Sequence, residues 1–219
     1  MSNPVVYNWP ILSTNNIVDS VQLDNGVENF SFNGSLSLGI NYGSPIVLDG
    51  ICREILITSA GDLSGIDFEI KGLYNNKPVT ETITGPNNTT VNSANFFNTI
   101  NSISVSGNMG ASVSIGTGGV GVTNWFPYDN LRTFSNLAIA CSVTADIDYT
   151  FQLTYDNVYG LTQDQEANIY ITNPIANLTN ATTSVTEYSS NPIRFCRIFI
   201  NSSNNNGKGI FTLMQQGTT

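Results

Sequence analysis

The stretch GIDFEIKGLYNNKPVTETITGPNNTT, residues 65–90, decides the fold because apolar and polar side chains alternate on both sides of an Asn-Asn pair. The side chains of Ile66, Phe68 and Ile70 point to one face and the charged side chains between them to the other, which is the pattern of a half-buried strand. A tight turn at Asn75 and Asn76 is expected between the two alternating runs, so the segment predicts a hairpin of two antiparallel strands.

The register of this hairpin also decides where its acidic residues lie. In the pairing that keeps the apolar faces together, Glu81 shares the face of Phe68 and Ile70, whereas Asp67 and Glu69 project to the opposite face. Glycoside hydrolysis needs two carboxylates that face one cleft. The hairpin therefore does not predict a glycosidase site.

The same period of two recurs along the rest of the chain, whereas apolar residues at helical spacing almost nowhere persist for three turns. Turn signals rich in Gly, Asn and Asp separate the short runs. The chain is therefore predicted to be all-β, with one or two antiparallel β-sandwich, jelly-roll-like modules. The predicted strands are 27–32, 51–58, 66–74, 79–84, 96–105, 112–115, 137–143, 147–155, 193–201 and 210–214.

A composition shift at SIGTGGVGVTNWFP, residues 114–127, predicts a boundary, because a glycine cluster gives way there to aromatic residues. We expect an N-terminal arm at 1–20, a first β module at 21–120 and a second β module at 121–219. The glycines at 116–121 are predicted to form a flexible connector or a bulge. Neither a helix nor a lysine follows them to complete a phosphate-binding loop.

The charge balance of the 219-residue chain limits its partners. Its net charge is -9 with only seven Lys and Arg, so a nucleic acid or an anionic membrane surface would repel it. Polarity comes instead from 30 Asn, 22 Ser and 23 Thr, which suits large static assemblies or contacts with sugars. The beginning, MSNPVVYNWP, predicts neither a signal peptide nor a membrane anchor, and synthesis in a cytoplasm is expected.

Residues suited to catalysis or metal binding are scarce. Because the chain has no histidine, Ser-His-Asp and Cys-His sites and imidazole metal ligands are excluded. Cys52, Cys141 and Cys196 each lie in an apolar run and are predicted to be buried free thiols. Asp146 and Asp148 are predicted to lie on a solvated strand face, with calcium binding as the weaker alternative. We therefore predict no enzyme activity, no cofactor and no metal site.

Residues 53–119 resemble a module of the virion proteins of tailed bacteriophages. The similarity lies in ITSAGD followed by SGI, in ETITGPN, and in a serine-rich stretch that ends in GTGG. WFPYDNLRTFSNLAIACSV (125–143), IDYTFQLTYDNVYG (147–160) and NPIRFCRIFINSSNNNGKGIFTLMQQG (191–217) resemble the companion portion of those proteins. The chain departs from the usual form in its Asn-rich loops, its cysteines and an insertion at 160–178.

This resemblance implies a structural component of a virion. The expected role is that of a capsid decoration or cement protein that binds the major capsid protein or other virion proteins, as a homo-oligomer with two or three subunits. The alternative is a tail- or head-fibre-associated protein that binds host surface glycan. No nucleic-acid or membrane partner is expected.

Two groups of apolar residues are predicted to contact a partner. The N-terminal arm offers its apolar side chains for strand addition or burial against a neighbouring chain. The aromatic segment after the glycine cluster offers a second anchor, for which packing between the two modules is the other explanation. The first group is Val5, Tyr7, Trp9 and Ile11, and the second is Trp125, Phe126 and Tyr128. For glycan binding, the available aromatic residues are Trp9, Trp125, Tyr128, Tyr159 and Tyr188.

Overall fold

The chain is almost entirely β in the computed structural model, which describes residues 4–9, 12–24, 26, 28–37, 44–48, 50–128, 136–144, 146–173, 175–190, 194–204 and 206–216. The strand pairings with an assigned register in these ranges are antiparallel, which confirms the predicted all-β, sandwich-like fold. The strands are β1 (Val5–Trp9), β2 (Ser13–Val21), β3 (Glu28–Asn29), β4 (Ile46–Val47), β5 (Ile51–Ser59), β6 (Asp67–Tyr74), β7 (Lys77–Thr84), β8 (Thr90–Asn92), β9 (Thr99–Val105), β10 (Val113–Thr123), β11 (Phe126–Pro127), β12 (Asn136–Val143), β13 (Ile147–Thr154), β14 (Val185–Ser189), β15 (Phe195–Ser203) and β16 (Gly209–Gln216). A one-turn helix, α1, covers Gln163–Glu166, and 3-10 turns cover Ser35–Ser37 and Ala176–Leu178.

The strands form two compact units. The central unit is Leu12–Gly118, and the terminal unit is Met1–Ile11 together with Gly119–Thr219. The segment predicted as one arm, residues 1–20, is divided differently: β1 belongs to the terminal unit and β2 to the central unit.

Two sheets enclose the core of the central unit. One contains β2, the first half of β10, β5 and β8, and the other contains β3, β9, β6 and β7, with β4 also paired to β9. Phe30 and Phe68 stack between strands with ring centroids 6.1 Å apart. The apolar side chains between the sheets form one cluster that includes Ile17, Val18, Ile55, Ile57, Phe68, Ile70, Phe97, Ile103, Val113 and Ile115.

The hairpin predicted from residues 65–90 is present with the predicted register. Asn75 and Asn76 have φ values of 47° and 63°, the left-handed pair that a two-residue hairpin turn requires. Phe68 and Ile70 are fully buried, and Glu81 lies directly opposite Ile70. Local alternation and turn chemistry were therefore sufficient to place these two strands.

The glycine cluster at 116–121 lies inside β10, so the predicted flexible connector is wrong for this segment. Its glycines allow close approach by neighbouring groups. A Cβ atom at Gly116 would overlap the carbonyl oxygen of Ser13, and one at Gly118 would overlap the side chain of Glu54. The pairing of β10 with β2 shifts register twice between residues 113 and 117, so irregular pairing accompanies the glycines.

The terminal unit is built on the same plan. One sheet has the order β1-β16-β12-β14, and a second contains β11, β15, β13 and the second half of β10. The rings of Tyr149 and Phe211, one from each sheet, meet edge to face with centroids 5.3 Å apart. Tyr7, Trp9, Leu137, Ile139, Phe151, Leu153, Ile198, Ile200 and Leu213 complete the buried interior.

Candidate interaction surface

The carboxylates of the hairpin lie on two faces of the sheet. Asp67 and Glu69 project from the outer face of β6 as predicted, and Glu69 forms an ion pair of 2.6 Å with Lys71. Glu81 accepts hydrogen bonds from the backbone N–H groups of residues 94 and 95, at 2.7 and 2.9 Å. Asp67 and Glu69 line one cavity of about 330 Å³ together with Thr82 and residues 104–106, whereas Glu81 lies on the opposite face of the sheet.

Asp146 and Asp148 each hold an asparagine side chain. Asp146 accepts from Nδ2 of Asn204 and Asp148 from Nδ2 of Asn201, both at 2.7 Å. Asp146 lies in the turn before β13, so the predicted strand-face position is wrong for it, and the two carboxylates hold the end of β15 and the residue after it. Within the described ranges, no group of three or more Cys, Asp or Glu side chains is arranged to hold a metal ion.

The three cysteines are buried and free, which confirms the prediction. Burial raises the pKa of Cys141 to about 12 and that of Cys196 further still. Because the thiolate is the reactive form of cysteine, these thiols are unreactive near neutral pH and act as small apolar side chains.

A buried charged cluster in the terminal unit was missed by the sequence analysis. Nη1 of Arg197 lies 2.8 Å from Oε2 of Glu166, and Nε of Arg197 donates to Gln152 at 2.9 Å. The guanidinium carbon of Arg197 lies 4.2 Å from the centre of the Trp125 ring, a cation–π contact. Thr162 and Gln165 cap the short helix that carries Glu166. An arginine inside the apolar run RFCRIF is the signal that points to this cluster.

Arg53 occupies a comparable position in the central unit. It is only 1% exposed, and its guanidinium donates to the carbonyl oxygen of Gly118 from Nε at 2.9 Å and from Nη2. Burial lowers the pKa of Arg53 to about 10, although the neighbouring Glu54 acts in the opposite direction. Glu54 in turn accepts from Nδ2 of Asn92 at 3.1 Å. These hydrogen bonds hold β5, β8 and β10 together, so the buried arginine has a structural role.

The structure places the predicted N-terminal contact residues largely inside the terminal unit. Tyr7 and Trp9 are buried because β1 pairs with β16 of the same chain. The Tyr7 hydroxyl donates to a backbone carbonyl, and Nε1 of Trp9 donates to a serine hydroxyl. Val5 is half-buried, and Ile11 lies outside the described residues. A partner role for Tyr7 and Trp9 stays a prediction that requires β1 to leave β16.

The second predicted group is also packed within the terminal unit. Phe126 and Tyr128 are buried, with β11 paired to β15. Trp125 is half-buried and covers Arg197. Their proposed contact with a partner stays a prediction.

The outer face of the sheet β1-β16-β12-β14 is neutral and partly apolar. Val6, Ile210 and Met214 are 48%, 50% and 39% exposed, so three large apolar side chains share this face. No described side chain that points outward from these four strands is charged, although the chain as a whole carries -9. We call this surface the neutral face and define it by Val6, Asn8, Ala138, Ala140, Ser142, Ile210, Thr212 and Met214.

Cross-strand register places the neutral face in continuous rows. Val6 lies beside Thr212, which lies beside Ala140. Met214 lies beside Ala138, and Tyr188 of β14 ends that row. Ile210 lies on β16, between β1 and β12, so it occupies an interior position of the face. The sequence predicted β12 and β16 but not β1 and β14, and which of the two faces is solvent-exposed depends on the packing of distant strands.

Among the aromatic residues considered for glycan binding, only two are well exposed. Tyr159 and Tyr188 are 67% and 71% exposed, whereas Trp9 and Tyr128 are buried and Trp125 covers Arg197. The ring of Tyr159 packs edge to face on Phe195, with centroids 4.9 Å apart. Tyr188 is therefore the more accessible of the two.

Two further observations concern the chain as a whole. In the part of the chain that the structure describes, no helix combines the length and the apolar character needed to cross a membrane. Neither the comparison with protein-family models nor that with curated proteins finds a match for this chain.

Proposed function

We propose that this chain is a non-enzymatic structural component of a tailed-phage virion, a capsid decoration or cement protein that binds the major capsid protein through the neutral face. The observation that carries the proposal is the absence of charge among the described outward side chains of that face. Burying charged groups against a partner requires removing them from water, whereas burying Val6, Ile210 and Met214 is favourable.

The charge of the chain supports contact at this face in particular. A protein with a net charge of -9 repels other acidic surfaces at long range, so a contact through a neutral patch avoids the repulsion that other surfaces would meet. The partner that fits this face is a protein surface that is itself neutral and partly apolar.

The assignment to a virion rests on the sequence resemblance of residues 53–119 and the companion segments. The antiparallel all-β fold suits a rigid component that works by contact. We also propose a dimer or trimer, because a protein bound to a capsid lattice matches the symmetry of its site.

The location of the chain in a particle tests the proposal directly. Virions assembled from the genome that encodes this chain are purified and imaged by electron microscopy, with the chain identified by mass spectrometry. Density for the chain at repeated positions on the head is the expected result. Density confined to a fibre would favour the alternative role, and absence of the chain from purified virions would overturn both.

Variants of the neutral face test how the chain binds. Ile210→Lys places a charge in the interior of the face and is expected to weaken attachment to particles that lack the chain by at least about tenfold. Thr82→Lys places the same charge on an exposed strand of the central unit and serves as the matched control. If Ile210→Lys and the wild type attach equally well, the neutral face is not the surface that binds the capsid.

A further inference from the structure

Strand β7 lies at one edge of the sheet β3-β9-β6-β7 in the central unit, and among the described strands it pairs with β6 alone. Its last residues, 80–84, alternate exposed threonines with half-buried residues. A free strand edge presents N–H and C=O groups that pair readily with another chain, so proteins usually cover or charge such an edge. We infer that this edge pairs with the same edge of a second copy, antiparallel about a two-fold axis through Thr82, and so extends the sheet across a dimer.

The hydrogen-bonding pattern of the hairpin determines which backbone groups of β7 point away from β6. A two-residue turn closes on a pair that exchanges both backbone bonds, here Tyr74 and Lys77, and such pairs recur at every second residue. The N–H group of Gly85 donates to the carbonyl oxygen of Ile66 at 2.8 Å, which continues the same alternation past the end of β7. The odd-numbered residues of β7 therefore bond to β6, and the even-numbered residues direct their N–H and C=O groups outward.

The outward positions of β7 are Pro78, Thr80, Thr82 and Thr84, and all four residues are exposed. Proline has no N–H group and occurs in sheets where no ladder bond is needed, so its presence at 78 fits an outward position. Within the described ranges, no hydrogen bond from another element reaches the backbone groups of the three threonines. Proline protects the start of this edge, whereas residues 80–84 have no proline, no bulge and no charged side chain on the outer face.

The residue types at the edge favour one register for the dimer. With Thr82 opposite itself, Thr80 lies opposite Thr84 of the second copy, and each of these pairs exchanges two backbone hydrogen bonds. Pairs of threonines on adjacent strands also stabilise antiparallel sheets. A shift that places Glu81 opposite itself sets two like charges side by side, which is unfavourable. A shift in the other direction sets Thr80 opposite Pro86, which has no N–H group to donate.

The side chains on the two faces of the sheet suit the same register. Lys71 lies beside Thr80 in the hairpin, and Asp67 lies beside Thr84. In the dimer, Lys71 of one copy and Asp67 of the other therefore lie in one row and carry opposite charges. On the inner face, Ile83 is half-buried in the single chain, and a second strand beside it removes more of its surface from water.

A second copy fits this edge better than an unrelated extended peptide. A two-fold contact requires a surface that is complementary to itself, and a run with threonine at each outward position from 80 to 84 meets that requirement. Pairing at one strand edge joins only two copies, so it favours the dimer over the trimer of the proposed function. The pairing makes no use of the neutral face and does not depend on the capsid role.

Sedimentation of the purified chain at increasing concentration tests the inference. We expect a reversible equilibrium between monomer and dimer with a Kd of about 1–100 µM, as for a small interface. Amide hydrogen exchange then locates the contact. The N–H groups of Thr80, Thr82 and Thr84 are expected to exchange at least about fivefold more slowly well above the Kd than well below it. Those of Glu81 and Ile83 bond to β6 and should be equally protected at both concentrations.

Substitutions at Thr82 separate the backbone bond from the side chain. Thr82→Pro removes the central N–H group without breaking a bond to β6 and is expected to weaken dimerisation by about tenfold or more. Thr82→Val keeps that N–H group and is the matched control, with a Kd within about threefold of the wild type. Thr82→Lys also keeps it and lies beside Glu69 of its own chain, so this variant is expected to dimerise as well. Circular dichroism establishes that each variant is folded.

Four outcomes would overturn the inference. The chain stays monomeric up to about 1 mM, or exchange at the three threonines does not depend on concentration. Alternatively, Thr82→Pro dimerises as tightly as the wild type, or the amides protected in the dimer lie in other strands. Ile210→Lys changes the terminal unit and should dimerise like the wild type, so loss of capsid attachment in that variant leaves the dimer in place. The dimer and the proposed capsid contact therefore fail independently.

Discussion

Arg197 and Glu166 form a buried ion pair in the terminal unit, with Nη1 and Oε2 2.8 Å apart and both side chains less than a tenth exposed. Glu69 and Lys71 form a shorter pair, 2.6 Å, on the surface of the central unit, with side chains 38% and 53% exposed. The two pairs therefore differ in burial far more than in distance. Burial, not length, decides what the loss of one partner does to stability.

Removal of Glu166 is predicted to destabilise the terminal unit strongly. Glu166→Ala leaves the Arg197 charge buried without its carboxylate, so we expect the free energy of unfolding to fall by about 3–5 kcal/mol. Both tryptophans of the chain, Trp9 and Trp125, belong to this unit, so tryptophan fluorescence during urea denaturation reports its unfolding.

The exposed pair supplies the control. Glu69→Ala is expected to change the free energy of unfolding by no more than about 1 kcal/mol, measured by circular dichroism in urea. The double variant Glu166→Leu with Arg197→Met is expected to recover much of the stability lost in Glu166→Ala, since it leaves no buried charge unpaired. Equal losses for Glu166→Ala and Glu69→Ala would contradict the structural role of the buried cluster.

Addition of one methyl group inside the glycine-rich strand is predicted to be costly. Gly116→Ala forces β10 away from the Ser13 carbonyl oxygen, so we expect a loss of about 1–3 kcal/mol in stability. Gly110→Ala, where no atom lies within 4 Å of the added Cβ, should stay within about 0.5 kcal/mol of the wild type. Thermal denaturation followed by circular dichroism compares the two. Similar melting curves would mean that β10 is free to shift.

The buried thiols predict a loss of stability at alkaline pH. The pKa of Cys141 rises from its ordinary 9.0 to about 12 in the folded chain, because burial disfavours the thiolate. The unfolded chain therefore releases the thiol proton above pH 9.0 while the folded chain retains it. Stability is unaffected by this group below that pH and falls between there and about pH 12, by up to about 1.4 kcal/mol per pH unit.

Urea denaturation at about pH 8 and about pH 11 measures this effect. Cys141→Ala is expected to reduce the difference between the two pH values, and the double variant with Cys196→Ala to reduce it further. Tyr7 and Tyr149 also have raised pKa values, so they account for the pH dependence of stability that remains in the double variant. If the double variant lost as much stability between the two pH values as the wild type does, the thiols would not be the cause of that loss.

Glu81 is predicted to hold the loop that precedes β9. Its carboxylate accepts from the backbone N–H groups of Ala94 and Asn95, and Glu81→Gln replaces one acceptor oxygen by a donor. We expect a loss of about 1–2 kcal/mol and faster hydrogen exchange at these two amides. Glu69→Gln on the opposite face of the same sheet should leave their exchange unchanged. Unchanged exchange in Glu81→Gln would show that the loop is held by other contacts.

The sequence predicted features that depend on neighbouring residues and missed features that depend on distant ones. The hairpin at 75–76 was predictable because alternation and turn chemistry lie within one short segment. The buried ion pair was not, since Glu166 and Arg197 are 31 positions apart and meet only through packing. The glycines of β10 suggested flexibility, whereas their tight surroundings come from Ser13 and Glu54, which are remote in sequence.

Prediction of the interaction surface was limited in the same way. Aromatic residues near the N-terminus suggested an adhesive arm, but Tyr7 and Trp9 are buried in a sheet completed by the last strand. Apolar residues on both faces of β16 could not reveal which face is covered. The exposure of Ile210 follows from the order of four strands drawn from opposite ends of the sequence.

The pairing of β1 with β16 has a consequence for synthesis on the ribosome. Val5 lies opposite Leu213, so β1 finds its neighbour only after β16 has been synthesised. The central unit is contiguous and can fold while the remaining chain is still being made. Until β16 has left the ribosome, the side chains of Tyr7 and Trp9 lack the neighbouring strand of their sheet, so the terminal unit cannot close before that point.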